Sequence, residues 1–244
     1  MTVPDALAIA AAGFTAGGVN TIVGSGSLVT FPTLLALGYA PVAANCSNSV
    51  GLVFGGVSGV LGYRRELEGQ RRRAITLGCG TAVGALLGGT LLLVLPPGVF
   101  KTVVPALILL ACALMAVKRA PSMHADHERT AWGTFSAFGT GIYGGYFGAA
   151  QGIILMSLLR FCFPDDLQRL NGLKNVLAAV ANGVAAVLFV FVAPVKWGPA
   201  ALIAAGSIVG AQVAARYGRR IPSNVLRWIV VIGGTIVAMI LIFS

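Results

Sequence analysis

Asn20, Gly24, Ser25, Gly26 and Ser27 fall within eight residues, in the stretch NTIVGSGSLVTFP at 20–32, which closes on Pro32. These types make a poor helix and a worse strand. Gly loses the most backbone freedom on folding, Ser and Asn bond to nearby backbone, and Pro lacks an N–H. What they can do is bring bare backbone and short polar side chains up to a small ligand. A second stretch of the kind, YFGAAQG at 146–152, supplies Gly148, Gln151 and Gly152. Two asparagine-bearing segments complete the set: NCSNSVG at 45–51, with Asn45, Ser47 and Asn48, and NGLKNVLAAVANG at 171–183, with Asn171, Lys174 and Asn175. A glycine turn that opens a helix leaves free N–H groups and a partial positive charge at its start, which suits a small anion.

The elements that must position these residues are set by composition. The 244 residues are 57% hydrophobic and 10% charged, with a mean hydropathy of +0.89; soluble domains carry about 25% charged residues. This composition implies an integral membrane protein. Apolar windows near bilayer-spanning length run over 43–63, 74–95, 99–117, 131–148, 170–192, 198–215 and 224–243. None alternates in the manner of an outer-membrane barrel strand, so the expected fold is an all-α, polytopic helical bundle.

Internal repetition divides the chain. GTAVGA at 80–85 returns as GSIVGA at 206–211, and LPPGVFK at 95–101 returns as IPSNVLR at 221–227, both at a spacing of 126 residues. Asn48 pairs with Asn175 at nearly that spacing. The reading is a first repeat over 1–118 (hairpin 5–37, helices 43–63, 74–95 and 99–117), a linker over 119–130, and a second repeat over 131–244 (hairpin 131–163, helices 170–192, 198–215 and 224–243). The basic clusters RRELEGQRRR at 64–73 and RYGRR at 216–220 are assigned to the cytoplasm by the positive-inside rule. That choice puts 15 of the 17 Lys and Arg on the cytoplasmic side, makes the linker cytoplasmic and leaves both chain ends outside. It also requires 131–163 to enter and return. The second arm of that hairpin, at 152–163, would be about 18 Å long as a helix, against a hydrocarbon core of about 30 Å. Each half then holds one broken or re-entrant hairpin and three spans, an odd number, so the halves are inverted with respect to each other. Short, interrupted helices in corresponding places of two halves point to a transporter's binding site.

Non-helical backbone cannot face lipid. The turns at 23–27 and 146–152 must therefore be buried in protein or line a cavity. The asparagines have two readings, bonds between helices or contact with a polar substrate. Lys174 either neutralises a bound anion or extends its ammonium to the interface. Gly80, Gly84 and Gly88, with Gly206, Gly210 and Ala214, recur every four residues and read as close-packed helix faces. Cys46, Cys79, Cys112 and Cys162 show neither disulfide nor zinc spacing, and His124 and His127 lack ligand company. No metal or cofactor is expected. No nucleophile stands with a base, so an enzyme is not expected, although a membrane-embedded enzyme or assembly factor is the competing class. The net charge of +10 follows from the basic loops and does not call for nucleic acid. The expected partners are a small anion and the lipid bilayer, and a homo-oligomer is compatible with both. All seven Asp and Glu lie in loops or at helix mouths. Without a mid-membrane carboxylate, outward movement down the membrane potential is the simplest energetics, and uptake coupled to H+ or Na+ is the alternative.

The glycine-rich broken hairpin AGGVNTIVGSGSLVTFPTLLALGYAPVAANCSNS, followed by a basic YRR loop and the GALLGG helix, resembles the TauE/SafE sulfite exporter family, also called the toluene sulfonate uptake permeases. The resemblance covers essentially the whole chain and is most specific from Gly13 to Arg65. It implies transport of sulfite, sulfoacetate or another sulfur-containing or organic anion, mostly outward, across the bacterial inner membrane. Ser25 and Ser27 stand where the family commonly has glycine, and GAAQG is a weaker glycine motif than its counterpart. The resemblance therefore does not choose among substrates.

Overall fold

A computed structural model describes residues 1–116, 127–217, 232 and 235. Apart from 232 and 235, the span read at 224–243 lies outside the described residues, as does most of the linker. Nine helices are described: α1 (Val3–Ile22), α2 (Ser27–Ala36), α3 (Pro41–Gly62), α4 (Arg71–Val94), α5 (Pro97–Ala116), α6 (Thr130–Tyr146), α7 (Gln151–Cys162), α8 (Leu167–Val192) and α9 (Trp197–Tyr217). There is no strand among the described residues.

Local chemistry accounts for several helix ends. Thr2 and Asp5 form a reciprocal capping box at α1, with the Thr2 N–H donating to Asp5 Oδ2 at 2.7 Å. Pro41 opens α3. The Asp166 carboxylate accepts from the N–H groups of Gln168 and Arg169 at 2.9 and 3.0 Å to cap α8. Three described helices, α4, α8 and α9, are long and apolar enough to cross a bilayer. The 22-residue α3 has the length, but Asn45, Ser47, Asn48, Ser49 and Ser58 dilute its hydropathy. All five of these side chains are buried.

Small residues set the packing. α1 lies along α9, where Gly17 meets the backbone of Ser207 and Gly210 meets that of Phe14. α4 lies along α6, where Gly84 meets Phe138, Gly88 meets Ile142 and Gly145 meets Ala85, backbone against backbone. The two glycine stripes read from the sequence thus pack α4 on α6 and α9 on α1. In addition α3 lies on α9 and α8 on α4, while α3 and α8 touch each other. Each short helix, α2 or α7, packs on the helix before it and the helix after it.

One ionic network ties the connections together. Arg73 pairs with Glu128 at 3.2 Å and with Asp165, Asp165 pairs with Arg169 at 3.1 Å, and the Arg73 guanidinium stacks 4.3 Å above the Phe163 ring. The four cysteines are free; Cys46, Cys112 and Cys162 are buried and Cys79 is exposed.

Candidate functional site

The site begins where two helices stop. At the end of α1 the N–H groups of Val23 and Gly24 both donate to Val19 O, at 2.8 and 3.0 Å. At the end of α6 those of Phe147 and Gly148 both donate to Tyr143 O, at 2.9 and 3.0 Å. Gly24 and Gly148 take φ of +88° and +74°, a left-handed backbone that any other residue adopts at a cost. The two helices therefore end in the same geometry. Four residues separate α1 from α2, and four separate α6 from α7.

The two turns touch. The Gly152 N–H donates to Gly24 O at 2.9 Å, and a Cβ on either glycine would collide with the other's backbone. Ring packing seals one side: Phe31 of α2 meets Phe147 of the second turn at 5.2 Å, edge to face, with Phe100 and Tyr146 against them. Several N–H groups at the starts of the short helices are engaged within the protein. Leu28 donates to Ser25 O at 3.1 Å, Gln151 to Gly148 O at 3.2 Å, and Gly152 to Gly24 O. In this conformation the turns close on one another.

Polar side chains from the crossing helices converge on the carbonyls that the breaks set free. Thr21 O, in the last turn of α1, accepts from Asn171 Nδ2 at 3.2 Å, Asn175 Nδ2 at 3.2 Å and Lys174 Nζ at 3.3 Å. Lys174 Nζ also donates to Asn20 O at 3.2 Å, and the side chain is 1% exposed. A helix C-terminus carries partial negative charge, which suits an ammonium. At the second break Asn45 Nδ2 donates to Tyr146 O at 3.0 Å. Asn48 instead bonds to the start of α2, its Nδ2 donating to Ser27 Oγ at 3.1 Å while its Oδ1 accepts from Thr30 Oγ1. Asn48 and Asn175, paired in the sequence reading, are both buried but hold different partners.

Other sequence-selected residues serve elsewhere. Ser47 Oγ accepts from the Lys196 N–H at 2.8 Å and donates to Ala43 O, tying α3 to the connection before α9 rather than to a break. Gln151 folds back on α6, donating to Thr140 O at 3.1 Å and packing on Gly144. At Gly26 the space a side chain would fill is taken by Ala16 and Asn20 of α1, against which α2 starts. Three buried polar atoms have no hydrogen-bond partner among the described residues: Ser25 Oγ, Asn45 Oδ1 and Asn171 Oδ1. Sequence reading missed Thr21 and Tyr146, which act through backbone carbonyls, and Thr30. The only sequence signal for the first two is their place just before a glycine turn.

A polar cleft of about 560 Å³ opens beside the ionic network, lined by Gln70, Arg72, Arg73, Glu128 and Arg169 among others. It shares none of these residues with the breaks. The hydrogen bond from Arg73 holds the Glu128 carboxyl below the usual carboxylate range. No group of His, Cys, Asp and Glu among the described residues could hold a metal ion.

Comparison with known proteins follows the same lines. Residues 9–241 match the family described as Sulfite exporter TauE/SafE. A "Probable membrane transporter protein ORF9" of Sinorhizobium sp is 26% identical over 224 residues, covering 91% of this chain and 86% of that protein. A "Probable membrane transporter protein" of Haemophilus influenzae is 28% identical over 214 residues, covering 84% and 81%. The "Probable membrane transporter protein YfcA" of Escherichia coli strain K12 is 24% identical over 236 residues, covering 94% and 86%. No solved structure matches the chain. A chain whose described residues form apolar spans, with two broken helices meeting among them and a family match over nearly its full length, belongs to the sulfite exporter TauE/SafE family, a family of membrane transporters and not of enzymes.

Proposed function

We propose that the protein is a secondary transporter of small anions that exports sulfite or an organosulfonate across the bacterial cytoplasmic membrane, with both chain ends outside. The observation that carries this reading is a buried lysine, Lys174, bonded to the Asn20 and Thr21 carbonyls at the end of one broken helix, just before the Gly24 turn that meets the second. A buried charge within a membrane protein is costly and is a functional hypothesis by default. The substrate path runs between the Gly24 and Gly152 turns, which separate to admit the anion. Ser25, Asn45, Asn171 and Asn175 lie beside it, and Lys174 supplies the compensating charge.

The two halves act as an inverted pair. Support comes from the packing: α1 with α9 mirrors α6 with α4, α3 with α9 mirrors α8 with α4, and α3 and α8 meet. Rocking of one half against the other would open the turns to each side alternately. Export needs no coupling ion, since one negative charge moving outward gains about 2.3 kcal/mol per 100 mV of inside-negative potential.

Flux of labelled sulfite and organosulfonates in proteoliposomes, under an imposed potential and separately under an imposed pH gradient, tests the reading. Efflux should rise with inside-negative potential, and Lys174→Gln should lower it at least about tenfold, the loss of a charge-assisted bond worth about 1.5–3 kcal/mol. No flux above empty vesicles would end the transport reading. Flux that ignores voltage and follows the pH gradient would replace voltage with the proton as the driving force.

A further inference from the structure

Asn45 and Asn171 stand at corresponding places, one bonded beside each helix break, and both leave the same atom over. Each Nδ2 donates to a backbone carbonyl, Tyr146 O in one case and Thr21 O in the other. That bond fixes the orientation of the amide, because an amide oxygen turned toward a carbonyl oxygen would find no proton between them. The oxygens are thus set: Asn45 Oδ1 and Asn171 Oδ1, on side chains 1% and 6% exposed, accept from no group among the described residues. An amide oxygen accepts and never donates, so it offers nothing to a bare oxyanion. Ser25, 1% exposed, adds at the first break a hydroxyl that likewise has no partner among the described residues and can donate.

Taken together, the breaks offer a positive charge on Lys174, a hydroxyl donor on Ser25 and two acceptors. We infer that the transported anion carries its own hydrogen-bond donor, an O–H or N–H group, and that Asn45 Oδ1 and Asn171 Oδ1 are the acceptors that select it. The class is hydroxyl-bearing or protonated anions, such as a hydroxyalkanesulfonate or hydrogen sulfite, rather than simple alkanesulfonates. A bare cation fits the same oxygens poorly. Hard cations gather about six or more oxygens, and the adjacent Asn20 and Thr21 carbonyls already receive N–H donors, one of them the Lys174 ammonium.

This inference rests on the transport reading, and the test separates the two. Purified protein in liposomes is given isethionate, a hydroxyalkanesulfonate, or propanesulfonate, which replaces the isethionate hydroxyl with a methyl group at equal charge and nearly equal size. A site built to bond a hydroxyl rejects the analogue that lacks it, so isethionate should move about ten- to a hundredfold faster, after subtraction of empty vesicles. Asn45→Leu and Asn171→Leu, each measured independently, should narrow the preference to within about threefold in whichever variant folds. Equal wild-type rates for the two sulfonates would overturn the inference while leaving transport intact, as would an active variant of either asparagine that kept the full preference. Flux that required sodium without regard to the hydroxyl would overturn it in favour of a cation site. Movement of neither sulfonate nor sulfite would instead sink the transport reading itself.

Discussion

Three glycine-to-alanine substitutions separate the two costs that the central contact imposes. Gly24 combines a φ of +88° with a missing Cβ that would strike Gly152; Gly152 has the collision without a left-handed backbone; Gly38 has a φ of +81° with nothing within 4 Å of its missing Cβ. A left-handed backbone costs an L residue about 1–2 kcal/mol, and overpacking costs about 1–3 kcal/mol. Gly38→Ala should therefore lose about 1–2 kcal/mol. Gly152→Ala should lose about 1–3 kcal/mol, offset by up to about 1 kcal/mol of helix propensity. Gly24→Ala carries both terms and should lose about 2–5 kcal/mol. At about 2–4 °C per kcal/mol for a chain of this size, Gly24→Ala should melt roughly 4–20 °C below wild type in detergent. Since the same contact is the closed point of the proposed path, Gly24→Ala and Gly152→Ala should also alter anion flux, whereas Gly38→Ala should not. A Gly24→Ala protein no less stable than Gly38→Ala would refute the direct meeting of the turns.

Asn48→Leu removes the bonds to Ser27 and Thr30, while the Thr30 hydroxyl keeps the Gly26 carbonyl at 3.4 Å, so it should lower stability by about 1–3 kcal/mol, read as a fall in melting temperature relative to wild type. The Glu128 carboxyl is held below its ordinary value of 4.5, chiefly by the Arg73 hydrogen bond. Its contribution is complete above that unfolded value and is lost as pH falls through the lower folded one. Melting followed downward from pH about 5 should therefore show an acid-induced loss in wild type that is smaller in Glu128→Gln, and identical acid profiles would remove this carboxylate from the network's energetics.

Composition and glycine placement alone determine much of this protein. A chain with 10% charged residues and several apolar windows can hide its backbone only as helices within a bilayer. The two helix breaks were legible for the same reason, since Gly24 and Gly148 are the residue type that a left-handed helix end requires. The glycine stripes were legible because spacing by four places small residues on one helix face. What those faces meet was not. The partners of Asn45, Asn171 and Asn175 are the backbone carbonyls of Tyr146 and Thr21, at sequence separations of 101, 150 and 154 residues. A carbonyl has no side-chain signature, so only the position of Asn45 at the end of α6, and of Asn171 and Asn175 at the end of α1, selects it. The same packing sends Ser47 to the Lys196 N–H and closes the space at Gly26 with α1. It also gives Asn48 and Asn175 different partners although the sequence spacing pairs them. Sequence fixes what each residue can bond; which bond forms depends on where the helices cross, and that depends on close contacts between residues far apart along the chain.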